Sequence, residues 1–279
     1  MAEVCLPGTT LLALDGPSGP YQLFVFVPEV PPPPGGFPVV FLLDGNNCFG
    51  MAVDLVRQGQ FRPTVSRLVP AIVVGIAYPG DQPLHQARRR TDFGPARPGE
   101  PASQGAGRDA FAHFLGSAVR PLLRARFPAD PRREVIAGHS LGGFFALDAL
   151  AQDPSDFAGV LAMSPSVWWN RERLLAGLRS GRGAGSSPRV WIGVGEWEEA
   201  LAPWEAALPD SETTAQRRRE RAMVGNARAM AEAVADRFGP TALVGFECLA
   251  GETHVSVIPV ALSHGLRALL GPGGLPAVG

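Results

Sequence analysis

A chain of 279 residues, 46% of them hydrophobic, can bury a large core, and 25 basic against 26 acidic side chains leave a formal net charge of −1. That balance gives no footing for a polyanion, and no apolar run is long enough to cross a bilayer, so neither nucleic acid nor membrane is the expected partner. Every basic residue is arginine. The absence of lysine removes Schiff-base enzymes, P-loop nucleotide hydrolases and protein kinases, each of which needs a lysine amine at a fixed place. Cys5, Cys48 and Cys248 are odd in number and far apart, which argues against a disulfide framework or a Cys-based zinc site and leaves buried thiols as the expectation. The first twelve residues lack a basic start followed by a continuous apolar stretch, so a cytoplasmic protein is expected.

Along the chain, two early strands end in the proline-rich stretch Pro28 to Pro38, the second of them over Tyr21 to Val27. Short apolar runs follow at Val39–Leu43, Ala71–Ala77, Glu134–Gly138, Phe157–Met163, Val190–Val194 and Ala242–Phe246. Strands apolar on both faces suit a sheet covered on both sides. Helical periodicity lies between them, at Arg108–Phe127, Leu141–Leu150, Arg171–Leu178, Thr214–Phe238 and Ser256–Leu270. The alternation predicts an α/β domain over residues 1–270, with a mostly parallel sheet of about eight strands and helices on both faces. Residues 271–279 read as a flexible tail, and Tyr78–Gly107 and Ser180–Pro188 read as surface loops, the first long enough to be functional.

Gly138-His139-Ser140-Leu141-Gly142-Gly143 stands between an apolar strand and a helix, the setting of a nucleophile elbow. The Gly-x-Ser-x-Gly pattern alone is weak evidence in a glycine-rich chain; the flanking elements give it weight. A serine hydroxyl needs a base, and imidazole is matched to the task. His139 must point away from the elbow serine, His113 and His264 sit in helical patterns, and His85 lies in the long loop. His254 follows the last strand, where a loop reaches the carboxyl ends of a parallel sheet, and is the expected base. A carboxylate should orient it from the end of the Val190–Val194 strand, where Glu196, Glu198 and Glu199 are offered; Glu198 ranks first, Glu196 second, and a Ser-His dyad or another acid such as Asp210 stays open. The N–H groups of Leu141 and Asn46 are the expected oxyanion donors.

Phe41-Leu42-Leu43-Asp44-Gly45-Asn46, Arg90-x-Asp92-Phe93-x-Pro95, the Ser140 elbow, Ser164-Pro165-Ser166-Val167-Trp168-Trp169, Gly195-x-x-Glu198 and Gly-x-x-His254 occur in this order over nearly the whole chain. Together they resemble the esterase family of α/β-hydrolases that includes the siderophore esterases for enterobactin, salmochelin and bacillibactin. The resemblance implies an α/β-hydrolase fold and a serine hydrolase without cofactor. It makes Ser140 and His254 the catalytic pair, Asn46 and Leu141 the oxyanion donors, and sets Trp168 and Trp169 near the pocket.

The expectation is therefore a carboxylic-ester hydrolase working through an acyl-enzyme on a small-molecule ester. A siderophore-like or other bulky aryl ester would stack on Trp168 and Trp169, with Arg88, Arg89 and Arg90 as anchors for anionic ligands. An acyltransferase would use the same acyl-enzyme with an alcohol in place of water. A non-catalytic binding protein would present Arg217, Arg218, Arg219 and Arg221 to an acidic partner, although that run alternates with Glu220 as exposed helix faces do. No two histidines have ligand spacing on one helical turn, so no metal is expected.

Overall fold

The computed structural model describes residues 5–180, 187–239 and 242–271. Its strands are β1 Thr9–Gly16, β2 Gly19–Phe26, β3 Phe37–Leu43, β4 Ile72–Ala77, β5 Ala129–His139, β6 Gly159–Met163, β7 Arg189–Gly195 and β8 Leu243–Leu249. They form one eight-stranded sheet in the order β1-β2-β4-β3-β5-β6-β7-β8, parallel from β4 onward. The β1–β2 hairpin adds two antiparallel strands at one edge. The helices are α1 Gly45–Gly59, α2 Pro63–Ser66, α3 Gln86–Phe93, α4 Ala106–Phe114, α5 Arg120–Arg126, α6 Leu141–Gln152, α7 Arg171–Arg179, α8 Ser211–Arg221, α9 Met223–Phe238 and α10 Val257–Leu270.

The two-residue period of a strand divides its side chains between two apolar layers. In β3, Val39, Phe41 and Leu43 pack toward α4, α6, α7 and α9, whereas Val40 and Leu42 pack toward α1 and α10. Both β3 and β4 are buried along their full length, as strands covered on both faces must be. The sheet and its two helix layers are those of an α/β-hydrolase fold. No described helix is long and apolar enough to cross a membrane.

Four local readings of the sequence need correction. Helix α1 is absent from the sequence reading, and its start, Gly45-Asn46-Asn47, is poor in helix formers. The helix expected over Arg108–Phe127 is interrupted by a wider π-type turn at Leu115–Val119, next to Pro121, which has no N–H for the preceding turn. The helix expected over Thr214–Phe238 breaks at Ala222, whose φ is 42°. The break lets α9 bury Met223, Ala227, Met230, Ala231 and Val234 while α8 buries nothing.

The stretch Tyr78–Gly107 is not a plain loop, since it holds α3 and drops Asp92 into the core. There the carboxylate accepts the hydroxyls of Tyr21 at 2.6 Å and Tyr78 at 2.9 Å. Most of the expected loop at Ser180–Pro188, residues 181–186, and the tail after 271 lie outside the described residues. Of the three free thiols, Cys48 is buried, but Cys5 and Cys248 are exposed; Cys248 lies on the edge strand β8.

Two glycines set the site. A Cβ on Gly138 would lie 2.4 Å from the backbone of Gly142, so only glycine lets β5 run under the start of α6. A Cβ on Gly45 would lie 2.7 Å from the backbone of Gly75, which fixes how closely α1 approaches β4. Gly138→Ala is expected to cost about 2 kcal/mol or more in chemical denaturation. Gly116→Ala, with nothing within 4 Å of the new methyl, is expected to stabilise by about 0.5–1 kcal/mol.

Candidate active site

The carboxyl ends of β5, β6, β7 and β8 place the site. Ser140 joins β5 to α6 at φ 58° and ψ −115°, a conformation that costs a non-glycine residue on the order of 1–3 kcal/mol. Backbone hydrogen bonds hold it there: its N–H donates to the Met163 carbonyl at 2.9 Å, and its own carbonyl accepts the N–H groups of Phe144 at 2.9 Å and Ser166 at 3.0 Å. The Ser140 hydroxyl points at His254 Nε2, 3.0 Å away, and His254 Nδ1 lies 2.5 Å from Glu198 Oε2. Glu198 is 3% exposed. Its other oxygen accepts the Gly195 N–H at 2.7 Å and the hydroxyl of Ser164, so the buried carboxylate has partners at both oxygens.

The other acids of that run have separate tasks. Glu196 accepts the Gly251 N–H at 2.7 Å and ties down the loop that carries His254, and Glu199 accepts the Gly225 N–H at 2.8 Å. Asp210 stands at the start of α8, 3.3 Å from the Thr214 hydroxyl. Glu198 alone of the four meets the imidazole.

His139 does point away from the serine, as the elbow requires, and into a role that the sequence did not suggest. Its Nε2–H donates to the backbone carbonyl of His254 at 2.7 Å, and the two rings lie 4.6 Å apart. Because a carbonyl only accepts, this bond assigns the proton of neutral His139 to Nε2. Burial, then the neighbouring His254 and Arg89 charges, hold His139 well below the usual histidine range, against the raising effect of its hydrogen bond.

Beneath the elbow, Arg89 Nε donates to Asp44 Oδ1 at 2.6 Å, with both side chains buried. Burial pushes the Asp44 carboxyl upward, and Arg89 opposes that shift. Asp44 itself has φ 57°, and its carbonyl accepts the N–H groups of Asn47 at 2.9 Å and Cys48 at 3.1 Å to start α1.

The N–H groups of Asn46 and Leu141 sit in the first turns of α1 and α6, where no intrahelical acceptor exists. The Asn46 side chain is occupied by Tyr78: Oδ1 accepts its N–H and Nδ2 donates to its carbonyl, each at 2.8 Å. The Asn46 side chain is thereby committed to the backbone of Tyr78.

A cavity of about 220 Å³ opens over Ser140 and His254, lined also by Ser166, Trp168, Glu198, Met223, Arg217, Arg218 and Arg221. The structure separates the two tryptophans. Trp168 faces the cavity, whereas Trp169 is buried and donates its indole N–H to the Pro95 carbonyl at 2.8 Å. None of the three expected arginine anchors lines the cavity. Arg88 lies over the rings of Tyr21 and Tyr78, Arg89 is spent on Asp44, and Arg90 lies 3.5 Å from Glu100. The cationic side chains at the cavity come from α8, whose alternation with Glu220 had read as a plain solvent face. Among the described residues, no group of three or more His, Cys, Asp or Glu is arranged to hold a metal ion.

A sheet of this order, with a serine on a strained strand-to-helix turn facing a histidine and a buried carboxylate, defines an α/β-hydrolase. The model of the family described as "Putative esterase" matches residues 17–234. The chain is 32% identical to the ferri-bacillibactin esterase BesA of Bacillus subtilis, over 96% of this chain and 92% of that one. It is 33% identical to the siderophore triacetylfusarinine C esterase of Aspergillus fumigatus, over 83% of this chain and 81% of that one. Among solved structures, the siderophore hydrolase EstB from Aspergillus nidulans superposes with a TM-score of 0.86 at 27% identity, covering 100% of this chain and 99% of that one. The BES protein from Bacillus cereus gives a TM-score of 0.78 at 27% identity, covering 96% of each. The chain belongs to this esterase family and is a carboxylic ester hydrolase.

Because His139 is neutral when folded and free to protonate when unfolded, the unfolded state binds the extra proton. Stability should be complete above about pH 6.5 and fall below it, by up to about 1.4 kcal/mol per pH unit for this one group. Urea midpoints between pH 7.5 and pH 5 should show that loss in the wild type and less of it in His139→Gln. Gln keeps an N–H for the His254 carbonyl. His139→Phe does not, and should lower kcat about tenfold with KM little changed.

Proposed function

We propose that the chain hydrolyses its ester through an acyl-enzyme on Ser140. The observation that carries this reading is the unbroken hydrogen-bond chain from Ser140 through His254 to Glu198, with distances of 3.0 and 2.5 Å. Ser140 Oγ attacks the acyl carbon while His254 Nε2 takes its proton. The Asn46 and Leu141 N–H groups, at helix N-termini that favour negative charge, receive the developing oxyanion. His254 then gives the proton to the departing alcohol as the C–O bond breaks. Water enters, loses a proton to the same nitrogen and releases the acid, restoring Ser140. Glu198 holds the Nδ1–H tautomer and stabilises the imidazolium, from a position fixed by Gly195 and Ser164.

Three of the relatives named above are a ferri-bacillibactin esterase, a siderophore triacetylfusarinine C esterase and a siderophore hydrolase. Together with the Trp168 face beside Ser140, they support a siderophore-like, bulky ester as substrate. A cavity of about 220 Å³ is small for such a molecule, so the acyl portion would enter while the remainder stays at the mouth.

Intact mass after an activated phosphonate, with p-nitrophenyl ester turnover alongside, tests the mechanism. Wild type should gain one adduct and turn over ester, and Ser140→Ala should do neither; labelling of Ser140→Ala would place the nucleophile elsewhere. Glu198→Gln should lower kcat by about a thousandfold or more, and Glu196→Gln by about tenfold or less. For substrate class, purified siderophore esters should be opened to free acid. Siderophores left intact while short aryl acetates turn over would overturn that part, and an alcohol-acyl product dominating over free acid would make the enzyme a transferase.

A further inference from the structure

Helix α8 has no buried residue along its eleven positions, so the core does not account for its sequence. Its arginines divide by function. Arg218 is neutralised by Glu205, with bonds of 2.6 and 2.7 Å, and also donates to the Ala200 carbonyl at 2.7 Å. That three-way contact staples α8 in place. Arg217 and Arg221 lie one turn apart and line the cavity over Ser140 together with Arg218, and among the described residues neither has a carboxylate partner. Arg217 has only the Thr214 hydroxyl at 3.3 Å, and Arg221 lies over the ring of Trp168, 4.6 Å from its centroid.

Like charges at this spacing repel, which makes the pair a poor choice for helix stability. A third cation adds to the repulsion. Arg97 lies 6.0 Å from the Trp168 ring and 4.1 Å from the Trp169 ring, and its buried Nε has no hydrogen-bond partner. Partial burial, then Arg217 and Arg97, depress the Arg221 guanidinium below its usual range. The one acid at the cavity is Glu198, already committed to His254, Gly195 and Ser164. The mouth of the cavity therefore keeps an uncompensated positive charge beside an aromatic face.

We propose that Arg217 and Arg221, with Trp168 beneath and Arg97 behind, form a subsite for an anionic oxygen group carried by the ester substrate, such as a carboxylate. This rests on Ser140 being the nucleophile of the same cavity. An anion between the two guanidiniums relieves their repulsion and accepts charge-assisted hydrogen bonds, while an aryl or alkyl portion lies on the indole. The preference then comes from α8, an element that can vary without disturbing the core.

Matched esters test this, and separate an anion on the acyl side from one on the alcohol side. The acyl pair is mono-p-nitrophenyl adipate against p-nitrophenyl hexanoate; the alcohol pair is para-acetoxybenzoate against para-acetoxybenzamide. In Arg217→Gln/Arg221→Gln, kcat/KM for at least one anionic ester should fall about ten- to hundredfold, while both neutral esters stay within about twofold. Replacement of both by lysine should recover part of the loss, and added salt should erode the wild-type preference. Equal losses on charged and neutral esters, or no loss on either anionic ester, would overturn the subsite. A wild type that turned over no ester and took no phosphonate would instead remove the Ser140 reading, and the subsite with it.

Discussion

The site depends on one strained residue. Ser140 is held at positive φ because β5 must end and α6 must begin within a single residue, and because backbone groups of Met163, Ser166 and Phe144 take up its amide and carbonyl. A strain on the order of 1–3 kcal/mol is tolerable only where surrounding bonds leave no relaxed alternative, and here they are backbone bonds that no side-chain substitution removes. The same turn points the hydroxyl at His254. Placing His139 next to Ser140 has a further effect. The residue before Ser140 grips the backbone of His254, so the hydroxyl and the imidazole are positioned by adjacent residues of one strand end.

The polar groups under the site show how a low-dielectric interior can hold charge. Glu198 and Asp44 are both buried carboxylates at strand ends, with different partners. Asp44 is neutralised by Arg89 and in turn starts α1, whose first turn includes Asn46. Glu198 has no arginine; it has a peptide N–H, a hydroxyl and an imidazole. That difference matters to chemistry. A carboxylate quenched by a guanidinium would have little field left for an imidazolium, whereas one held by neutral donors keeps its charge directed at His254.

Much of this was legible in the sequence, for identifiable reasons. Apolar runs such as Val39–Leu43 announce strands covered on both faces, and Gly138 with Gly142 around a serine announces the elbow, since both signals are local. Ser140, His254 and Glu198 were each placed by their position after a strand, which fold geometry converts into proximity. What was missed is non-local. Nothing in Ser164 or His139 as residues says that one bonds Glu198 and the other the His254 backbone, because those contacts join segments 34 and 115 residues apart. The arginines were misassigned for the same reason. Arg88, Arg89 and Arg90 form a run that invites an anionic ligand, yet α3 turns each to a different partner within the protein. The Arg217–Arg221 run resembled a solvated helix face, and part of it meets the cavity.

That contrast indicates where selectivity in such a fold can reside. The residues proposed to perform chemistry follow strand ends whose side chains also build the core. Helix α8 contributes nothing to the core and is docked by Arg218 on Glu205 and by its continuation into α9. A substitution at Arg217 or Arg221 changes the field at the mouth of the cavity and leaves the packing of both helix layers intact. The break at Ala222 completes the separation: it lets α9 keep its apolar stripe in the core while α8 turns its cations toward the site. A helix that is unfavourable by its own charges persists at this place because it is anchored at one side and exposed to ligand at the other. Recognition is thereby uncoupled from the elbow, which must stay fixed.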